Sequence, residues 1–471
     1  MGRGRESGSS GIPWAESLYR TRCTGRTGIH HAENVTTMRE VSMQSQRSSL
    51  GIEFSPILLP RPGVDLKKWA VIACDQFTSQ PEVWEAMQSN IGDSPSTFHC
   101  ILPECYLGSP DEEERIPRIH RRMREYLESG ILRETEPGLV LVDRETPHTR
   151  RRGMVIALDL EQYDYRPGTK PLIRPTEQTL AERLPPRLKI RKDASIEFPH
   201  TLVLLNDFRT QVVDTLFSLF TQTAPTYEGE LLLGAGRVRG WFVPEGKVKS
   251  ILGELLLKSL EHSSFLYAVG DGNHSLAAAK LFWEELKNRL PPPQRATHPA
   301  RYTLVELVSL FDGGIQFHPI HRILHPLEPA RFLEFLRTRS PIQVRETASF
   351  EEMKKEVDAD SFRIGLLQQG AYHTVQFPSS PHQTITEMVQ TAIDAFCSSN
   401  PNTKVDYIHG DESLRSLASG QDTLGIYLPG LAKEKLFPLI ETQGVLPRKA
   451  FSIGEALEKR FYLEGRRITP S

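Results

Sequence analysis

The sequence offers little to chemistry that depends on cysteine. Cys23, Cys74, Cys100, Cys105 and Cys397 are its only cysteines, an odd number without CxxC spacing, which argues against a disulfide framework and a zinc site and fits a reducing compartment. A surplus of one charge is missing too. The formal net charge is −2 over 471 residues, so no bulk attraction to nucleic acid or an acidic membrane is expected. No apolar run approaches the ~20 residues that span a bilayer. P-loop, G-x-S-x-G and kinase signatures are lacking. GAGRVRG at 234–240 has neither the glycine order nor the following helix and acidic residue of a dinucleotide loop. These absences predict a soluble cytoplasmic protein with a small-molecule substrate and neither nucleic acid nor membrane as partner.

What is present concentrates in FLYAVGDGNHSLAAAKLFWEEL at 265–286. Residues 265–269 read as a buried strand, and from Ser275 onward apolar residues recur at helical spacing. Gly270 and Gly272 allow a sharp turn between them, with Asp271, Asn273, His274 and Ser275 on the turn and the first helical positions. Unpaired N–H groups at such a terminus favour an anion, with dipole help of about 0.3–1 kcal/mol. A helix cap needs one polar side chain, whereas this turn supplies four.

Here a resemblance enters. GDGNHSLAAAK looks like a variant of the DGHHR-type segment of the DUF1015 family. WAVIACDQFTSQPEVW (69–84), IRPTEQTLAERLPPRLKIRKDASIEFPH (173–200), FHPIHRIL (317–324) and LPRKAFSIGEALEKRFYLEGRRI (446–468) resemble that family in the same order. The DGHHR-like turn is similar to the phosphate-contacting turn of the sulfiredoxin and ParB group, where free-serine kinases also occur. The resemblance implies a phosphorylated small molecule or nucleotide as ligand. The sequence departs from the pattern at Asn273, where the family often has His, and at Ser275, where the related turns carry an Arg that would clamp phosphate bidentately.

The rest of the chain predicts α/β or α+β architecture: mixed sheets with helices in two or more lobes, a sulfiredoxin- and ParB-like element around the DGNHS turn, a main region at 51–340 and a C-terminal lobe at 341–471. Strands are expected at 69–74, 139–142, 154–160, 201–205, 302–310, 363–367, 374–377 and 423–428. Helices are expected at 81–89, 110–132 with its regular part starting near Pro117, 248–260, 350–357, 384–397, 431–441 and within 446–467. Residues 163–200 read as irregular because prolines exclude a long helix, and 290–300 as an exposed loop. FHPIHRIL reads as a surface turn held by Pro319 or, with His321 and Arg322, as an anion-binding segment. Residues 1–50 read as a disordered tail or, given Met43 as an alternative start, an over-extended translation.

The reading that follows is a phosphotransferase acting on serine or another hydroxylated amino acid, with ATP or ADP and Mg²⁺. Backbone groups near Gly270, Gly272, Asn273 and Ser275 would hold phosphate, and Asp271 or His274 would accept the hydroxyl proton. Arg174, Arg187 or Arg322 would offset transferred charge, Glu177 or Asp75 would hold Mg²⁺, and the resemblance adds Lys449. A phosphatase or hydrolase, and a non-catalytic binder of a nucleotide or metabolite, are the alternatives. Deleting residues 1–42 is expected to leave expression and the thermal midpoint unchanged; loss of folding would contradict the reading of that segment.

Overall fold

Residues 139–142 of strand Leu132–Glu145 and 154–158 of strand Arg150–Asp159 are apolar on both faces, so these stretches sit inside a layered structure. The computed structural model describes residues 50–208, 211–380 and 383–470, and the expected tail lies outside them. Val140, Val142, Val155 and Ala157 pack on one side with Trp69, Trp84, Ile119 and Met123. Leu139, Leu141, Met154 and Ile156 pack on the other with Leu216, Leu252, Leu276 and Trp283. Helix Glu112–Glu128 covers the first side; helices Gln211–Phe220, Glu245–Leu260 and Asn273–Lys287 cover the second.

The sheet is ten-stranded and mixed. Its order is Ile173–Pro175, Tyr267–Asp271, Leu202–Leu205, Tyr302–Ser309, Arg150–Asp159, Leu132–Glu145, Arg237–Pro244 and Tyr227–Glu230, with Ile52–Glu53 and Ser55–Pro60 added at the sides. Tyr267–Asp271 runs parallel to Ile173–Pro175 and antiparallel to Leu202–Leu205. This register brings the segment after Pro175 alongside the turn at Gly272. A second sheet, antiparallel throughout, runs Gln343–Thr347, Ala371–Gln376, Arg363–Gln368, Leu424–Tyr427, Phe317–His325, Lys404–His409, with Phe451–Ile453 pairing the start of Phe317–His325. The α/β class with mixed sheets is as expected.

Several elements differ from expectation, each for a local reason. Helix Glu112–Glu128 starts before Pro117, which lies inside it; its acidic first turn suits the helix dipole. Leu184–Lys192 is helical, because Pro185 and Pro186 fall in the first turn, where a missing N–H removes no intrahelical bond. Residues Pro292–Thr297 form a short helix where a loop was expected. FHPIHRIL lies within a nine-residue strand, Phe317–His325, flanked on both edges. The helix expected at 431–441 begins only at Leu436.

The largest departure is at 446–467. This segment is an extended strap with one short turn, Ala456–Glu458, closed by a capping box between Glu455 and Glu458. Of the charges that suggested a surface helix, Glu458 and Arg460 are buried instead and Lys459 is largely covered, while Glu455 stays exposed. Arg460 donates to Glu306 at 2.7 Å, to Glu464 at 2.8 Å and to the Pro199 carbonyl at 3.0 Å. Arg151 donates to Glu306 at 3.1 Å and to the Glu458 carbonyl at 2.9 Å. Tyr227 donates to Glu464. Glu306, Arg151, Arg460 and Glu464 are all at most 4 % exposed. The strap also pairs Phe461–Tyr462 with Val71–Ile72 and Arg466–Arg467 with Ile196–Glu197.

Burial alone would raise the Glu306 pKa, but Arg151 and Arg460 hold it down at about 2. Its contribution is therefore complete above about 4.5, the ordinary value, and is lost as pH falls towards about 2. Glu306→Gln leaves the Arg151 guanidinium without a carboxylate and Arg460 with Glu464 alone, and is expected to cost about 3–5 kcal/mol of unfolding free energy in urea titrations at neutral pH. The deficit should shrink over that acid range, and a pH-independent loss would contradict the network.

Candidate functional site

Strand Tyr267–Asp271 ends at Gly272, which caps helix Asn273–Lys287 at φ 77° and ψ 28°. A Cβ at Gly272 would stand 3.0 Å from Thr201 Cα and Oγ1, so both conformation and space demand glycine here. Gly270 has a different reason: a Cβ there would meet Ile453 Cδ1 at 2.7 Å, so it serves packing. The first helical bond is Leu276 N–H to the Gly272 carbonyl at 3.0 Å. No side chain caps the helix. Among the described residues, the N–H groups of Asn273, His274 and Ser275 have no hydrogen-bond acceptor, and they form an open donor set at the positive end of a 15-residue helix.

The side chains of this turn are mostly committed. Asn273 is buried; its Oδ1 accepts from Thr176 N–H at 3.3 Å and its Nδ2 donates to Thr176 Oγ1 and the Val269 carbonyl. It fastens the segment after Pro175 to the turn. His274 Nε2 accepts from Leu180 N–H at 3.2 Å, which fixes the Nδ1–H tautomer. Burial, then Arg187 and Arg183, push its pKa down to about 4. With Nε2 so engaged, His274 anchors residues 176–180 beside the turn. Asp271 accepts from Gly272 N–H at 2.9 Å and pairs with Lys459 Nζ at 3.2 Å.

Lys459 comes from the strap, where Ser452 Oγ accepts from its ammonium at 3.3 Å. It is 12 % exposed. Glu177 lies in the same charge field. Burial raises its pKa, Lys449 opposes this, Asp271 adds to it and Lys459 again opposes. Its carboxylate makes no hydrogen bond or ion pair among the described residues. His409 of the second sheet lies in the same charge field: burial, then Lys449 and Lys459, push its pKa down to about 4. Lys449 has φ 58°, a left-handed conformation that a residue with a Cβ adopts only when its surroundings hold it.

Arg322 supplies that hold. It is fully buried and donates to the Lys449 carbonyl at 3.0 Å, Gln390 Oε1 at 2.9 Å and the Ile320 carbonyl at 2.6 Å, with its guanidinium over the Tyr407 ring. The expected anion clamp is thus a strut. His321 is likewise buried, accepting from Leu428 N–H at 3.1 Å and facing Asp411 at 3.4 Å. Arg174 lies away from the turn, donating to the Pro171 carbonyl at 3.0 Å and stacking on Phe265. Arg187 pairs with Glu104. Asp75 accepts from Gln76 at 2.9 Å and faces His200 Nε2 at 3.9 Å; burial would raise its pKa, but His200 and the Gln76 hydrogen bond keep it low. Among the described residues no three His, Cys, Asp or Glu side chains group as a metal site.

Of the residues named from sequence, the structure gathers Asp271, Gly272, Asn273, His274, Ser275 and Glu177, with Lys449 sensed across the cluster. It adds Lys459, His409, His200 and Tyr462. Ser275 Oγ lies 3.2 Å from His200 Nε2, and His200 Nδ1 lies 2.8 Å from Tyr462 OH. Lys459, His200 and Tyr462 fall inside segments that carried the resemblance, and this was the one available signal for them.

The model for a family described as a protein of unknown function (DUF1015) matches residues 58–396, well over half of the chain. The chain belongs to the DUF1015 family. None of the curated proteins matches it. Among solved structures, it is similar to a conserved hypothetical protein from Pyrococcus furiosus at 11 % identity and TM-score 0.35, covering 67 % of this chain and 95 % of that one. A free serine kinase in complex with AMP is similar at 11 % identity and TM-score 0.37, over 67 % and 92 %. SbnI from Staphylococcus aureus, with a C-terminal truncation, is similar at 9 % identity and TM-score 0.34, over 64 % and 82 %. Likeness at this level carries no residue role from those proteins to this DUF1015 chain.

The two kinds of glycine separate by mutation. Gly272→Ala is expected to lose about 1–2 kcal/mol in chemical denaturation, the usual cost of a left-handed residue with a Cβ. Gly253→Ala, in helix Glu245–Leu260 with nothing within 4 Å of a new Cβ, should gain about 0.5–1 kcal/mol. Equal effects at the two positions would contradict the assigned geometry of the turn.

Proposed function

We propose that this DUF1015 protein binds the phosphate of a nucleotide or another phosphorylated small molecule at the start of helix Asn273–Lys287, and transfers a phosphoryl group to a small hydroxylated amino acid. One observation carries the reading: three N–H groups without acceptors open at the same turn where Lys459 is held by Asp271. An arriving phosphate satisfies those donors and competes with Asp271 for the ammonium. Lys459 and Lys449 would then offset phosphate charge, and the released Asp271 would accept the substrate hydroxyl proton.

Mg²⁺, where it accompanies the nucleotide, is bound mainly by phosphate oxygens and one or two carboxylates and would neutralise charge there. Glu177 fits that place, since its carboxylate has no other partner, whereas Asp75 is engaged by Gln76 and His200. A second reading, nucleotide binding without turnover, draws on the commitment of His274 to Leu180 and of Asp271 to Lys459. Cytoplasmic location stays part of this proposal; no helix of the described residues is long and apolar enough to cross a membrane.

The test is turnover of serine and other hydroxylated amino acids with ATP or ADP, beside calorimetric binding of ADP. Lys459→Ala should weaken ADP binding by about tenfold or more, as loss of a charge-assisted contact does. Asp271→Asn should retain binding and lower turnover by about 10²–10⁴, the range of a general base. Tight ADP binding with no turnover by the wild type would establish the second reading. Undiminished turnover in Asp271→Asn would move the proton acceptor elsewhere.

A further inference from the structure

Beside the helix start lies a cavity of about 140 Å³ that shares Ser275 with it. Its floor is apolar, from Cys100, Ile101, Met123, Ile190 and Ala278. Burial pushes the neighbouring Cys74 thiol up to about 12, so the cysteines here act as apolar lining.

One wall is a chain of donors. Tyr462 oxygen accepts from Cys74 N–H at 3.1 Å and lies 2.8 Å from His200 Nδ1. The Asp75 carboxylate, 3.9 Å from His200 Nε2, favours a proton on that nitrogen, directed at Ser275 Oγ at 3.2 Å. This leaves the Ser275 hydroxyl proton for an oxygen in the cavity.

The other wall comes from helix Leu184–Lys192, where Arg187, Ile190 and Arg191 share one face. Arg187 is matched by Glu104, but Arg191 is not fully matched. Glu197 Oε2 lies 2.7 Å from Arg191 Nη2, and the same carboxylate serves Arg466 at 3.2 Å. Two guanidiniums on one carboxylate leave one positive charge. Glu197 meets Nη2 and Nε is sealed from solvent, so Nη1 is the guanidinium nitrogen left for an acceptor in the cavity, which Arg191 lines.

We propose that this cavity binds a short monocarboxylate bearing a hydroxyl, its carboxylate on Arg191, its apolar body against Ile190 and Met123, and its hydroxyl directed to Ser275. A cavity of about 150 Å³ holds a benzene-sized molecule, so the ligand has about six to nine non-hydrogen atoms. The assignment rests on the reading of the helix start as the anion site, and narrows the hydroxylated acceptor of that site to a small acid with a compact apolar body.

The experiment is calorimetry on the full chain with α-hydroxyisocaproate, its amide and inorganic phosphate. The acid should bind, the amide about tenfold more weakly or worse, and Arg191→Gln should cost the acid a similar factor. Because Arg191→Gln also takes a partner from buried Glu197, Ile190→Phe is the second variant: it fills the cavity and leaves every ion pair in place. It should abolish binding of the acid with phosphate binding retained. Equal affinity for acid and amide, acid binding undiminished in Ile190→Phe, or no binding of the acid by the wild type overturns the assignment. Acid binding with the expected pattern but no phosphate binding upholds the cavity and removes the anion-site reading instead.

Discussion

The buried carboxylate of Glu306, shared between Arg151 and Arg460, is the interaction on which the working geometry depends. It ties strand Tyr302–Ser309, strand Arg150–Asp159 and the C-terminal strap at one point inside the protein. A buried ion network of this kind adds little net stability against an apolar replacement, but removing one partner is expensive. Its consequence here is positional. Lys459 precedes Arg460, so fixing Arg460 delivers the Lys459 ammonium to Asp271 at the open end of helix Asn273–Lys287.

The site is assembled from three distant parts of the chain, each fastened separately. Asn273 and His274 lock residues 176–180 onto the turn, and this carries Glu177 into the charge cluster. Arg322 holds the carbonyl of left-handed Lys449 from within the second sheet. The strap brings Lys459 and Tyr462. In each case the conspicuous polar residue works on backbone geometry, while backbone N–H groups and an inconspicuous lysine face the open space. Anion recognition through backbone donors suits this arrangement, because the donors are positioned by the fold and need no side-chain ordering.

Much of the architecture was legible because its strands and helices follow simple periodicities. The strand, glycine turn and helix at 265–286 stand where the pattern put them, as do the hairpin around 146–149 and the alternating elements from Phe350 to Ser399. Proline misled in both directions: Pro117 lies inside its helix, and Pro185 and Pro186 start one where irregular chain was expected. The strap was illegible for a deeper reason. Glu455, Glu458, Lys459 and Arg460 have the spacing of a solvated helix, and only tertiary partners such as Glu306 and Glu464 reveal that Arg460 is buried, as Glu458 is too. The same limit applies to Arg174, Arg322 and His321, which chemistry alone nominates as ligands but which packing commits elsewhere.

The central claim is that the N–H groups of Asn273, His274 and Ser275, with Lys459, form an anion site. A crystal structure of the protein with ADP tests it most directly. The account predicts a phosphate group within hydrogen-bond distance of those N–H groups, with Lys459 Nζ turned from Asp271 to the phosphate. A nucleotide phosphate bound elsewhere, with the Lys459–Asp271 pair intact and the helix start unchanged, would contradict it.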